Sequence, residues 1–81
     1  MQQSEVTSPA VLDAARAKQR RMVDAAKRRA LVRCSNGQVA TLISWGTARG
    51  RSYVRLEGSD GVTRWSEHKS FVVGLLEDEI S

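Results

Sequence analysis

The periodicity of this chain changes once, near residue 30, and that change restricts the fold more than any other feature. From Pro9 to Arg29 the sequence PAVLDAARAKQRRMVDAAKRR has no glycine, and no proline beyond the first position. Ala, Arg, Lys, Gln and Met fill its middle, all strong helix formers. After Arg29 β-branched residues appear, turn residues recur, and all six glycines of the chain are found. One long helix followed by a set of short strands is the expectation.

The helix is expected over residues 9–29. Ser8 suits the N-cap and Pro9 the first helical position, where a missing N–H costs nothing. Asp13 lies near the positive end of the macrodipole, and Lys27, Arg28 and Arg29 near the negative end. On a helical wheel Val11, Leu12, Ala15, Met22, Val23 and Ala26 form a narrow apolar stripe with Gln19 in its middle. The basic residues surround the other sides. Arg16, Arg20 and Lys27 flank the stripe on one side, Lys18 and Arg29 on the other, and Arg21 and Arg28 point away from it. Asp13 three before Arg16, and Asp24 three and four before Lys27 and Arg28, are ordinary stabilising spacings.

Beyond residue 30, Asn36-Gly37 between ALVRCS and QVATLISW is a strong hairpin signal for a two-residue type I′ turn. That turn would place Val32 opposite Thr41 and Ala30 opposite Ile43 on one face, and Leu31 opposite Leu42 on the other. Both faces would then be apolar, one for a core and one needing a cover, for which the helix stripe is the nearest candidate. GTARGR, residues 46–51, reads as a longer polar loop. SYVRLE, GSDG and VTRWSE read as a second hairpin, pairing Val54 with Trp65 and setting Arg55 directly against Arg64. Opposed like charges destabilise a sheet unless a neighbour such as Glu57 or Glu67 compensates, or an anionic ligand does. HKS, containing His68, then leads into a fifth short strand, FVVG.

The segments NGQVATLISW and YVRLEGSDGVTRWSEHKSFVV resemble the SH3-like small barrels of the Tudor and KOW kind, over residues 30–74. The resemblance implies a mainly β fold: a five-stranded barrel, here with one long N-terminal α-helix, that binds nucleic acid or peptide through its loops and one open face. A methyl-mark cage of the Tudor type needs several converging aromatics. Of the four present, Trp65 and Phe71 are expected in the core, leaving Trp45 and Tyr53, too few for a good cage. The expected organisation is a flexible N-terminus at 1–8, the basic amphipathic helix at 9–29, the barrel at 30–74 and an acidic tail at 75–81.

Charge and composition narrow the function classes. A net charge of +4 with pI near 10 favours anionic partners. Eight of the thirteen basic residues lie within residues 16–34, whereas LLEDEIS at the end carries three acids and no base. No apolar run is long enough to span a bilayer and the N-terminus lacks a secretory pattern, so a cytoplasmic protein is expected, with no membrane partner. One Cys and one His provide no metal cluster and no recognisable nucleophile–base pair. No enzyme, metal or cofactor is expected, and Cys34 reads as a buried small hydrophobe.

Two functions remain open. The first is a nucleic-acid-binding module for DNA or RNA, with phosphate contacts from Arg16, Lys18, Arg20, Arg21, Lys27, Arg28, Arg29, Arg49 and Arg51, and stacking or charge from Tyr53, Arg55 and Arg64. The second is an adaptor docking by its helix into a transcription complex, a ribosome-associated factor or a phage particle. Its tail residues Leu75, Leu76 and Ile80 would dock on the partner or fold back. Alanine and arginine richness fits a bacterial or phage source.

Overall fold

The computed structural model describes residues 9–80, with side chains from Leu12 onward. The expected flexible segment 1–8, the Ser8 cap and the Val11 side chain lie outside the described residues. Helix α1, Pro9–Lys27, leads into β1 (Leu31–Cys34), β2 (Val39–Ala48), β3 (Arg51–Glu57), β4 (Arg64–Glu67), a single 3₁₀ turn (Lys69–Phe71), β5 (Val72–Leu75) and a short helix α2 (Leu76–Ile80). The strands form one antiparallel sheet in the order β4-β3-β2-β1-β5. The chain is therefore mainly β with one long helix. The sheet is open, however: β4 and β5 are its two edges, so the expected closed barrel is replaced by a five-stranded open sheet.

The helix ends two residues before the expected Arg29, in a cap the side chains do not announce. Arg29 takes a left-handed conformation, φ 55°. Its N–H donates to the Ala26 carbonyl, and the Ala30 N–H to the Ala25 carbonyl at 2.9 Å. That double closure is a Schellman motif with arginine where glycine is usual. Ala30 packs against the core just beyond it, so the helix turns directly into β1.

Only the C-terminal part of α1 is anchored. Met22, Ala25 and Ala26 join Val32, Cys34, Ala40, Leu42, Val54, Leu56, Val72 and Leu75 in a single buried cluster. Residues 12–21 are all exposed. Leu12 and Ala15, expected in the packing stripe, therefore lie in solvent, and Ala25, outside that stripe, is fully buried. The core seals only the last turns of the helix; residues 15–19 border a cleft against the 3₁₀ turn and stay exposed.

Three registers differ from expectation, each for a local reason. In the first hairpin Cys34 accepts from the Gly37 N–H and donates its own N–H to Gln38, both at 2.9 Å. Only Gly37, not Asn36, has positive φ. This is a three-residue loop built on a type I turn with a glycine bulge, not a type I′ turn. The extra loop residue shifts the pairing by one, to Leu31–Thr41, Val32–Ala40 and Arg33–Val39. Val32, Cys34, Ala40 and Leu42 then share the core face, whereas Leu31 and Thr41 face outward, so the doubly apolar hairpin is not formed. In the second case the 46–51 loop is absent. β2 and β3 pair as far as Ala48–Arg51, joined by Arg49 and Gly50 at φ 54° and 76°. The type I′ turn thus occurs here, one hairpin later than expected. Third, β3 and β4 pair two residues further along: Arg55 faces Ser66, Glu57 faces Arg64 and Leu56 faces Trp65. The Arg55–Arg64 opposition does not exist; Arg64 Nε donates to Glu57 Oε2 at 2.9 Å instead.

Asp60 produces that last register. Its Oδ1 accepts the Val62 and Thr63 N–H groups, each at 2.9 Å, and its Oδ2 accepts the Thr63 hydroxyl. These donors hold the Asp60 carboxyl down to about 2, the Thr63 hydroxyl most of all. Gly58 and Thr63 close the loop by a backbone hydrogen bond of 2.8 Å. At the other end of β4, His68 caps the 3₁₀ turn by accepting the Ser70 N–H at 3.1 Å, a turn role in keeping with the sequence.

Candidate nucleic-acid interface

A β-bulge in β2 positions the site. Leu42 pairs with Leu56, but Ser44, not Ile43, pairs with Arg55, and Trp45 pairs with Val54. The extra residue lets both Leu42 and Trp45 face the core side, although they are three apart. The freed Ile43 carbonyl accepts Arg29 Nη1 at 2.8 Å. Arg29 therefore ties the end of α1 to the bulge and is a structural strap first. Trp45, expected outside the core, packs its ring partly buried against it. Its indole N–H is buried and has no partner among the described residues.

Two adjoining clefts share this ring. One lies between α1 and the bulge, lined by Val23, Ala26, Lys27, Arg29, Ile43, Ser44 and Trp45. The other lies between α1 and the 3₁₀ turn, lined by Ala15, Lys18, Gln19, Trp45, Lys69, Ser70 and Val72. Lys69 Nζ sits 5.1 Å from the Trp45 ring centre, within cation–π range. Four cations thus border the clefts, with no carboxylate among the lining residues.

The opposite flank of α1 is organised differently. Helix α2 folds back so that Asp78 accepts from Arg21, Glu77 accepts Arg28 Nη1 at 2.7 Å, and Glu79 takes Arg33 through two bonds, at 3.1 and 3.0 Å. Asp24 adds a second carboxylate to Arg28 at 3.3 Å. The guanidinium groups of Arg21, Arg28 and Arg33 are raised above their ordinary value by hydrogen bonds to Asp78, Glu77 and Glu79 respectively. The Glu79 carboxyl is held below its ordinary value by the same bond to Arg33. Leu75, placed in the tail by its sequence position, is 2% exposed and belongs to β5.

The expected phosphate contacts are thereby sorted. Arg21, Arg28 and Arg64 are paired with carboxylates. Arg16, Lys18, Arg20, Lys27, Arg49, Arg51 and Arg55 form no ion pair among the described residues. Arg16 and Arg20 are on the exposed part of α1, and Arg49 and Arg51 are at the β2–β3 tip. Tyr53 is half-buried, its ring laid over Gly46, where a Cβ would meet Tyr53 Cε1 at 3.2 Å. Its hydroxyl lies 3.4 Å from Ser44 Oγ. Sequence reasoning passed over Lys69, Arg33 and the pairing role of Glu77, Asp78 and Glu79. The run of three acids opposite a basic helix was the available signal for the last.

Cys34 is buried, and burial pushes its thiol up. Among the described residues no three His, Cys, Asp or Glu side chains are grouped to hold a metal, and no helix is long and apolar enough to cross a membrane. No protein-family model, curated protein or solved structure matches the chain.

Proposed function

We propose that this chain is a small, non-enzymatic, cytoplasmic nucleic-acid-binding module that grips phosphates along the β2 flank of α1. The observation that carries this is the pair of clefts around Trp45, bordered by Lys18, Lys27, Arg29 and Lys69 without a lining carboxylate. Arg16 and Arg20 on the exposed part of α1, and Arg49, Arg51 and Arg55 on the β2–β3 hairpin, are further exposed cations. Phosphate contacts of this kind fix position without reading sequence. The 3₁₀ turn immediately before the last strand supports treating the open sheet as a member of the SH3-like barrel class.

A second function, docking into a larger protein assembly, is favoured by the exposed Leu12, Leu31 and Ile80. Binding of purified protein to duplex DNA, single-stranded DNA and structured RNA across a salt series separates the two. Nucleic-acid binding predicts a linear fall of log affinity with log salt, with a slope of about −0.9 per phosphate contact on duplex. Affinities no better than millimolar at low salt for all three ligands would overturn it in favour of a protein partner.

A further inference from the structure

Arg21, Arg28 and Arg33 are brought together by the fold. Arg21 lies on α1, Arg28 one residue past its end and seven beyond Arg21, and Arg33 on β1. Their shared occupant is α2, whose Glu77, Asp78 and Glu79 follow one another in the chain. Guanidinium forks donate to carboxylate and phosphate oxygens in the same geometry. A string of consecutive carboxylates is also the closest a polypeptide comes to the charge pattern of a phosphodiester backbone.

Helix α2 is short and exposed. It has five residues, none buried, far below the length at which a helix is stable alone. Ile80 at its end is 86% exposed. The three arginine pairs are themselves about half exposed, a setting in which ion pairs are feeble and screened by salt. A polyanion that releases condensed counterions on binding has an advantage over three such carboxylates.

We propose that Arg21, Arg28 and Arg33 form a second phosphate-backbone site, which Glu77, Asp78 and Glu79 occupy in cis and nucleic acid takes by displacing α2. This inference rests on the proposed nucleic-acid function and adds a self-competing tail to it.

The test compares the full chain with its Glu77→Gln/Asp78→Asn/Glu79→Gln variant, using a short labelled DNA duplex and an RNA hairpin. The variant should bind about tenfold more tightly at low salt, and the gain should shrink as salt screens the three ion pairs, both forms making the same phosphate contacts once α2 is displaced. Adding Arg21→Ala/Arg28→Ala/Arg33→Ala should remove that gain. In the unaltered protein, saturating ligand should move the amide resonances of residues 77–80 to unstructured positions. Glu79→Gln alone, the mildest change, should give a gain of about two- to threefold, and stands in if the triple variant unfolds. Equal or weaker binding by the variants, while the unaltered chain still binds with steep salt dependence, overturns the self-competing tail and leaves the nucleic-acid function standing. Tighter binding without movement of the tail resonances also overturns it, since net charge then explains the gain. Absence of binding by every form overturns both.

Discussion

On one flank of α1, Arg21, Arg28 and Arg33 each face a carboxylate of α2; on the other, Lys18, Lys27 and Lys69 gather around Trp45 with no carboxylate in the cleft lining. Apart from Lys69 on the 3₁₀ turn, both flanks draw their cations from the same basic stretch, so helix composition does not distinguish them. The difference comes from what the sheet carries to each side. β5 delivers the acidic residues 77–79 to one flank, and the bulge in β2 delivers an aromatic ring to the other. Cations that are interchangeable on a helical wheel become an occupied set and an open set once the remote chain is placed.

The largest effect should come from removing the platform beneath both flanks. Leu42 is fully buried between β2 and the helix anchor. Leu42→Ala should lower stability by about 2–5 kcal/mol, through lost burial and the cavity left behind. In urea the two flanks should be lost in one transition, followed by amide signals at Lys69 and Glu79. Separate transitions would show that the flanks do not share a core. The next largest effect separates them. Lys18→Ala/Lys27→Ala/Lys69→Ala should weaken duplex binding at low salt by about tenfold or more and make the salt slope shallower by about 2.7. The Arg28–Glu77 and Arg33–Glu79 contacts should be unchanged. An unaltered slope would show that these lysines do not meet phosphate.

Much of this layout is readable in the residues. Helix formers without glycine between 9 and 29, and β-branched runs after 30, place α1 and the strands nearly where they occur. Alternation assigns Val32, Cys34, Val54 and Leu56 inward, as found. What the local pattern misses are features that one or two hydrogen bonds decide. Asn36-Gly37 has the composition of a type I′ turn, yet the Gly37 N–H bonds Cys34 and lengthens the loop by one. Arg49-Gly50 lacks that composition and still forms the type I′ turn. The Asp60 bonds to Val62 and Thr63 move β4 by two residues and dissolve the expected clash of arginines. The candidate site is harder still to read, because Lys69 and Trp45, or Arg33 and Glu79, meet across long stretches of chain that no spacing rule connects.

A smaller effect sharpens the contrast by pH. The carboxyl of Glu79 is below its ordinary value of 4.5, because the hydrogen bond to Arg33 favours the charged form. A depressed carboxyl contributes stability at pH values above its unfolded value, and that contribution is lost as pH falls through the lowered folded value. The α2 flank should therefore loosen in acid as Glu79 takes up its proton. A carbon-detected NMR titration should place Glu79 below 4.5, and Arg33→Ala should return it to that value. Asp60, at about 2 in both proteins, serves as the internal reference because its donors are the loop's own Val62 and Thr63. A Glu79 midpoint unmoved by Arg33→Ala would mean that the pair is not formed in solution.

The smallest effect concerns the ring at the centre of the open flank. The Trp45 indole N–H is buried without a partner among the described residues, and an unsatisfied buried donor carries a desolvation penalty. Phenylalanine keeps an aromatic face for Lys69 and removes that donor, at the loss of some buried ring area. The two changes oppose each other, so Trp45→Phe should alter stability by no more than about 1 kcal/mol in either direction. Trp45→Ala loses the ring itself and should cost several times that, because the indole packs against the core as well as bordering the clefts. Urea midpoints of the two variants give the ratio. If Trp45→Phe proves as damaging as Trp45→Ala, the N–H has a partner in solution, and the flank around it is closed by a hydrogen bond rather than open to an anionic ligand.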